Sequence, residues 1–135
     1  MTIKDMFNTR ECIILAGGLG TRLRGVVRDL PKPMAPIDAK PFLFYLMKWL
    51  VKYKPDKIVI SAGYKSQSII DYFGDSFSGT PLIYAIEEKP LGTGGALKYA
   101  IGKTAGSDIL VVNGDTYFPV DIEKLWYLHT SKNYI

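Results

Sequence analysis

The sequence has 135 residues, of which 47% are apolar and 22% charged, the balance of one ordinary globular domain with a real core. A net charge of +4 is too mild and too dispersed to support nucleic-acid binding, although it suits a small anionic substrate. The single cysteine, Cys12, excludes an intrachain disulfide and agrees with a reducing, cytoplasmic setting.

The first ten residues are polar and mixed in charge, without the pattern of a signal peptide. Cys12 to Ala16 is a short apolar run and predicts a buried parallel strand. Gly17, Gly18 and Gly20 follow at once, then Arg22 and Arg24, then Lys32 between Pro31 and Pro33. The flanking prolines predict an extended, stiff strap carrying that lysine. Phe42, Tyr45, Leu46, Trp49, Leu50 and Tyr53 recur at helical spacing, so a helix is expected over 42–53. The longest apolar run, Pro41 to Met47, is far short of the roughly 20 residues that cross a membrane, so no membrane association is expected.

Lys57 to Ser61 is a second, β-branched strand. A helix from Lys65 or Ser66 carries Ile69, Ile70 and Phe73 and is closed by Gly74. Leu82 to Ile86 is the third strand, Pro90 to Gly95 a glycine-rich loop, and Ala96 to Ile101 a helix. Asp108 to Val112 is the fourth strand, ending in Asn113-Gly114-Asp115, and Asp121 caps a last helix. Strand and helix alternate throughout. The expected fold is therefore α/β, a three-layer sandwich on a mostly parallel sheet of strand order 3-2-1-4, over residues 1–135. Ligands of such sheets bind beyond the carboxyl ends of the strands, where Gly17 to Arg22, Gly63, Glu87 to Gly95 and Asn113 to Asp115 converge.

The chemistry available there is that of a phosphate site. Glycine-rich turns expose N–H groups to anions, and Arg22 and Lys32 supply fixed charge. The spacing matches neither G-x-G-x-x-G, since Leu23 stands where glycine is needed, nor a Walker loop. Taken alone, the three glycines fit a plain tight turn better than a ligand cradle. Asp115 can hold Mg²⁺ through one oxygen, or it can cap the segment after it; the residue by itself does not separate the two. His129 is the sole histidine and falls on the last helix, away from the convergent loops. No Ser-His-Asp or Cys-His set can be drawn.

The whole run L-A-G-G-L-G-T-R-L followed by P-K-P resembles the signature of the sugar nucleotidyltransferases. D-L-P-K-P-M-A-P-I and P-L-G-T-G-G-A are similar to the guanylyltransferases acting on heptose 1-phosphate or mannose 1-phosphate. The resemblance implies a Rossmann-like nucleotidyltransferase fold and the joining of a nucleoside triphosphate to a sugar 1-phosphate, with release of pyrophosphate, for nucleotide-sugar and cell-surface polysaccharide synthesis. It implies nucleotide contacts from Leu15, Ala16, Gly17, Gly18, Gly20, Thr21, Arg22, Glu87, Gly92, Asn113 and Gly114. Arg22 and Lys32 become catalytic, as does Asp115, the ligand of Mg²⁺. Relatives specific for thymidylyl or uridylyl transfer carry glutamine at the place of Glu87. A carboxylate accepts from both N1–H and the 2-amino group of guanine, so GTP is the expected nucleotide; Glu88 is a rival for this role. The resemblance covers the front part of a family member and makes residues 1–135 the N-terminal, nucleotide-binding part of a nucleotidyltransferase domain, so the sugar-binding half and a second metal-binding aspartate fall outside it. A non-catalytic nucleotide-binding module, or an inactive piece, is the alternative, and assembly of like chains is compatible with either. Ala39 stands where relatives usually have glycine and would strain its turn if φ there were positive.

Overall fold

The computed structural model describes residues 10–18 and 29–131. In chain order the elements are β1 (Glu11–Leu15), β2 (Pro36–Ile37), β3 (Lys40–Pro41), α1 (Phe42–Leu50), β4 (Lys57–Ala62), α2 (Ser66–Phe73), β5 (Ser76–Phe77), β6 (Thr80–Ile86), α3 (Gly92–Ile101), β7 (Ile109–Asn113) and α4 (Ile122–Ser131). The main sheet has the order β5-β6-β4-β1-β7. Its four long strands run parallel, in the expected 3-2-1-4 order. β1 lies inside the sheet and pairs on both sides, Cys12 with Ile58 and with Leu110, Leu15 with Ser61 and with Asn113. Burial on both faces explains why its sequence is a continuous apolar run rather than an alternating one.

Successive side chains of β1 and β4 serve opposite layers. Cys12, Ile14, Ile58 and Ile60 pack against Leu43, Leu46, Met47 and Leu50 of α1, Ile69 and Phe73 of α2, and Ile122 of α4. Ile13, Val59 and Ala85 face Ala100 and Leu97 of α3. Three helices therefore cover one face and α3 the other, which makes the sandwich three-layered.

Several boundaries differ from the sequence expectation. The helix over 42–53 is α-helical only to Leu50; Val51–Tyr53 tightens to a 3₁₀ turn. Lys54 then takes the left-handed conformation, φ 51, ahead of Pro55, which cannot continue a helix. The strap carrying Lys32 is not extended: Lys32–Met34 forms a 3₁₀ turn, with Met34 N donating to Pro31 O and Ala35 N to Lys32 O. The antiparallel edge strand β5 was not anticipated; its signal is Ser78-Gly79, whose φ values of 48 and 82 suit a two-residue hairpin. Ala39 carries no strain, because Asp38 takes the positive φ of 55 in that turn, which aspartate tolerates better than most residues. The stop at Gly74 (φ 65) and the Asp121 cap, whose Oδ1 accepts from Lys124 N at 3.2 Å, are as expected. No helix among the described residues is long and apolar enough to cross a membrane.

The amino edge of the sheet is locked by a buried carboxylate. Glu11 is 3% exposed. It pairs with Lys57 Nζ at 2.9 Å and accepts from the backbone N–H groups of Ala105 and Gly106. It thereby fixes the connection from α3 into β7. Burial alone would push the Glu11 carboxyl up; the Lys57 ammonium and the two N–H groups outweigh it and leave the group below the ordinary glutamate value. Because the folded-state value is depressed, the unfolded chain binds more protons in the window below about pH 4.3, and stability falls there as pH falls. Glu11→Gln is expected to lower the unfolding free energy at pH 7 by about 1.5–3 kcal/mol. In urea denaturation the two proteins should converge as the pH is lowered through that window. Curves that stay parallel with pH would remove the charge of Glu11 from the account.

Candidate active site

The carboxyl ends of β1, β4, β6 and β7 open into one cleft of about 760 Å³, lined among others by Leu15, Gly17, Gly18, Lys32, Ser61, Gly63, Glu87, Glu88, Gly92, Thr93, Asn113 and Asp115. A second cavity of about 30 Å³ lies at the opposite edge, beside Cys12, Leu50 and Trp126. It has room for about one water. Burial pushes the Cys12 thiol up to about 12, so it is inert.

Lys32 and Asp115 are 83 residues apart in sequence and meet at 2.8 Å. The 3₁₀ turn presents the lysine, and the end of β7 presents the aspartate. Lys32 holds the Asp115 carboxyl below the usual carboxylate range; partial burial opposes this, and the Thr116 hydroxyl, donating to Oδ1 at 3.1 Å, assists. Asp115 is thus an ionised oxygen donor at the mouth of the cleft. Mg²⁺ takes one or two carboxylates and completes its shell with water and phosphate oxygens, so this residue fits that ion.

Glu87 follows β6 and continues its ladder, Glu87 N donating to Ala62 O at 2.8 Å. Its side chain lies across the sheet end. An ideal Cβ on Gly63 would stand 3.5 Å from Glu87 Cβ, and one on Gly17 would stand 2.9 Å from Glu87 Oε1. The other oxygen, Oε2, accepts from Leu91 N at 3.2 Å. Leu91 is the residue preceding α3. Glu88 also lines the cleft but is more exposed.

The helix α3 begins at Gly92 and not at Ala96. Glycine disfavours helix interiors by about 1 kcal/mol, which is why Gly94 and Gly95 read as loop. Here they form the first turn, where Gly95 is pressed by Leu91 Cβ, 2.9 Å from an ideal Cβ. Gly92 has φ 73, a conformation other residues rarely adopt. The first turn has neither an acidic residue nor a side-chain cap, and its Gly92 and Thr93 line the cleft, so helix N–H groups without a side-chain cap lie beside it.

Ala16 and Gly114 do not line the cleft. Gly114 N donates to Leu15 O at 2.8 Å, and an ideal Cβ on Gly114 would meet Ala16 Cα and Leu15 O at 3.0 Å. The close approach at Gly114 is therefore to the β1 backbone. Gly20, Thr21 and Arg22 lie outside the described residues. His129 sits at the other edge of the sheet, 2.7 Å from Asp108. Sequence reasoning missed Ser61, which is fully buried beside the cleft, with its Oγ unpartnered among the described residues. A hydroxyl within a β-branched strand gives no signal of its own.

Residues 11–134 match the nucleotidyl transferase family. The chain is 52% identical over 121 residues to a D-glycero-alpha-D-manno-heptose 1-phosphate guanylyltransferase of Aneurinibacillus thermoaerophilus, covering 90% of this chain and 53% of that protein. It is 46% identical to the enzyme of the same name from Campylobacter jejuni, covering 85% of this chain and 52% of that one. The crystal structure of HddC from Yersinia pseudotuberculosis complexed with GMP-PN superimposes with a TM-score of 0.80 at 43% identity, over 89% of this chain and 54% of that one. The chain spans about half the length of the curated relatives it matches. With four parallel strands converging on one cleft and the family match running over almost their whole length, the chain belongs to the nucleotidyl transferase family.

Proposed function

We propose that this chain binds a nucleoside triphosphate, GTP by preference, and carries the nucleotide half of a cytoplasmic enzyme that joins it to a sugar 1-phosphate of the heptose or mannose type. The carrying observation is that one cleft holds both a carboxylate laid over Gly17 and the Lys32–Asp115 pair. The backbones of Glu87 and Asp115 follow strands three spacings apart, about 14 Å, and the Glu87 side chain reaches back toward β1. That span suits a base at one end and phosphates at the other. The guanylyltransferases named above and the neighbour complexed with GMP-PN support the choice of guanine.

In this reading a phosphate oxygen of the sugar 1-phosphate attacks the α-phosphorus in line. The new P–O bond forms as the bond to the β-phosphate oxygen breaks, and pyrophosphate leaves. No covalent enzyme intermediate is required, so positioning and charge neutralisation account for most of the rate. Lys32 neutralises charge at the reacting phosphates, and Arg22 steadies the triphosphate and the departing pyrophosphate. Asp115 would hold Mg²⁺, which when bound would offset the negative charge of the phosphates. Glu87 accepts from N1–H and the 2-amino group of guanine. Leu15 and the glycines of the first loop, with Gly92 and Asn113, bound the nucleotide.

Nucleotide binding without transfer is the second reading; the chain spans about half the length of the relatives it matches. A pyrophosphate-release assay with GTP, Mg²⁺ and a panel of sugar 1-phosphates separates the two. Transfer by this chain predicts turnover that falls by orders of magnitude in Arg22→Ala; GTP binding with no turnover selects the second reading.

The base preference has its own test. Titration calorimetry is expected to show tighter binding of GTP than of UTP. Glu87→Gln should narrow that difference by about 1.5–3 kcal/mol, whereas Glu88→Gln should not. A loss of preference in the Glu88 variant alone would move the role one residue along.

A further inference from the structure

The first two glycines of the β1 loop stand in different situations. Gly18 has φ +124, a conformation that favours glycine, and an ideal Cβ there would meet nothing within 4 Å. Gly17 is the reverse. Its φ lies outside the left-handed range, so its backbone suits any residue, yet an ideal Cβ would stand 2.9 Å from Glu87 Oε1 and 3.7 Å from Glu87 Cδ. What is special at position 17 is an occupied space and not a backbone conformation.

The register explains how a residue after β6 comes to fill a space after β1. Leu15, Ser61 and Ala85 form one row across three strands. Two residues further on, the same face carries Gly17, Gly63 and Glu87. The bonds Ala16 N to Ser61 O at 2.7 Å and Glu87 N to Ala62 O at 2.8 Å carry the parallel ladder up to that row. Two of its three members lack side chains, so the third lies flat over both. Its far end is pinned from the other direction by Leu91 N.

We propose that Gly17 is a specificity-determining residue: its missing side chain is the slot that sets the position of the Glu87 carboxylate, and so it governs which base is accepted. This rests on the reading of Glu87 as the group that receives the base. A methyl at position 17 displaces the carboxylate, which is the free end of a flexible side chain, and leaves the strand and turn in place. The displaced oxygens lose both their alignment to a pair of base donors and the bond to Leu91 N. A glycine kept only for close approach of phosphate behaves differently, because its substitution weakens all triphosphates alike.

A double-mutant cycle read by calorimetry separates these cases. Gly17→Ala is expected to lower the ratio of GTP to UTP affinity about tenfold, the size of one charge-assisted hydrogen bond. In a Glu87→Ala background the added methyl meets no carboxylate, so the same substitution should change the ratio by less than about twofold. Without any nucleotide, the Leu91 amide resonance should shift in Gly17→Ala in the same direction as in Glu87→Ala. If the unmodified chain prefers GTP and Gly17→Ala lowers the ratio equally in both backgrounds, the inference is overturned while the role of Glu87 stands. If the unmodified chain shows no preference for GTP, the role of Glu87 fails, and that of Gly17 with it.

Discussion

The in-register pairing of β1 with β4 on one side and β7 on the other is the constraint on which the rest of the molecule depends. It brings the ends of strands that are far apart in sequence to one edge of the sheet. It also sets which side chains share a face there. A slip of one residue would turn every side chain of β1 to the opposite layer, sending Cys12 and Ile14 toward α3 and Ile13 toward α1. The buried carboxylate of Glu11 works against such a slip from the amino edge, since it is bonded at once to β4 through Lys57 and to the segment entering β7 through Ala105 and Gly106.

At the carboxyl edge the electrostatics are of another kind. The Lys32 and Asp115 side chains are 47% and 39% exposed, and an ion pair so open to solvent contributes roughly 0–1 kcal/mol. It rearranges at little cost. A lysine released from this pair can turn to a phosphate and an aspartate to a cation, whereas the amino-edge pair is too deeply held to exchange partners. The two pairs have similar distances and opposite uses, and burial separates them. Glu87 stands between these cases: its carboxylate accepts from one backbone N–H and lies over Gly17, with its Cβ over Gly63.

Much of this was legible in the sequence, for definite reasons. Apolar runs with alternating helices specify a parallel sheet, and β6-β4-β1-β7 reproduces the expected order 3-2-1-4. The convergence of Gly17, Glu87, Gly92 and Asp115 followed from their places at the carboxyl ends of parallel strands. Features that depend on contacts and not on pattern were not legible. The start of α3 was misplaced because glycine propensity argues against a helix that tertiary packing nevertheless imposes. The positive φ of the turn around Ala39 falls on Asp38 instead, since a turn's φ values are set by its closure. The neighbour of Gly114 is β1 backbone, and the neighbour of Gly17 is a carboxylate 70 positions away in the chain, two facts that no local pattern encodes.

The proposed nucleotide site at the carboxyl edge of the sheet is open to amide chemical-shift mapping of the labelled chain with Mg²⁺ and GTP. Perturbations are expected at Gly17, Gly63, Glu87, Leu91 to Thr93, Asn113 and Asp115, with Glu11, Lys57 and Gly106 at the amino edge unmoved. Perturbations centred on the amino edge, or none at saturating nucleotide, would contradict it.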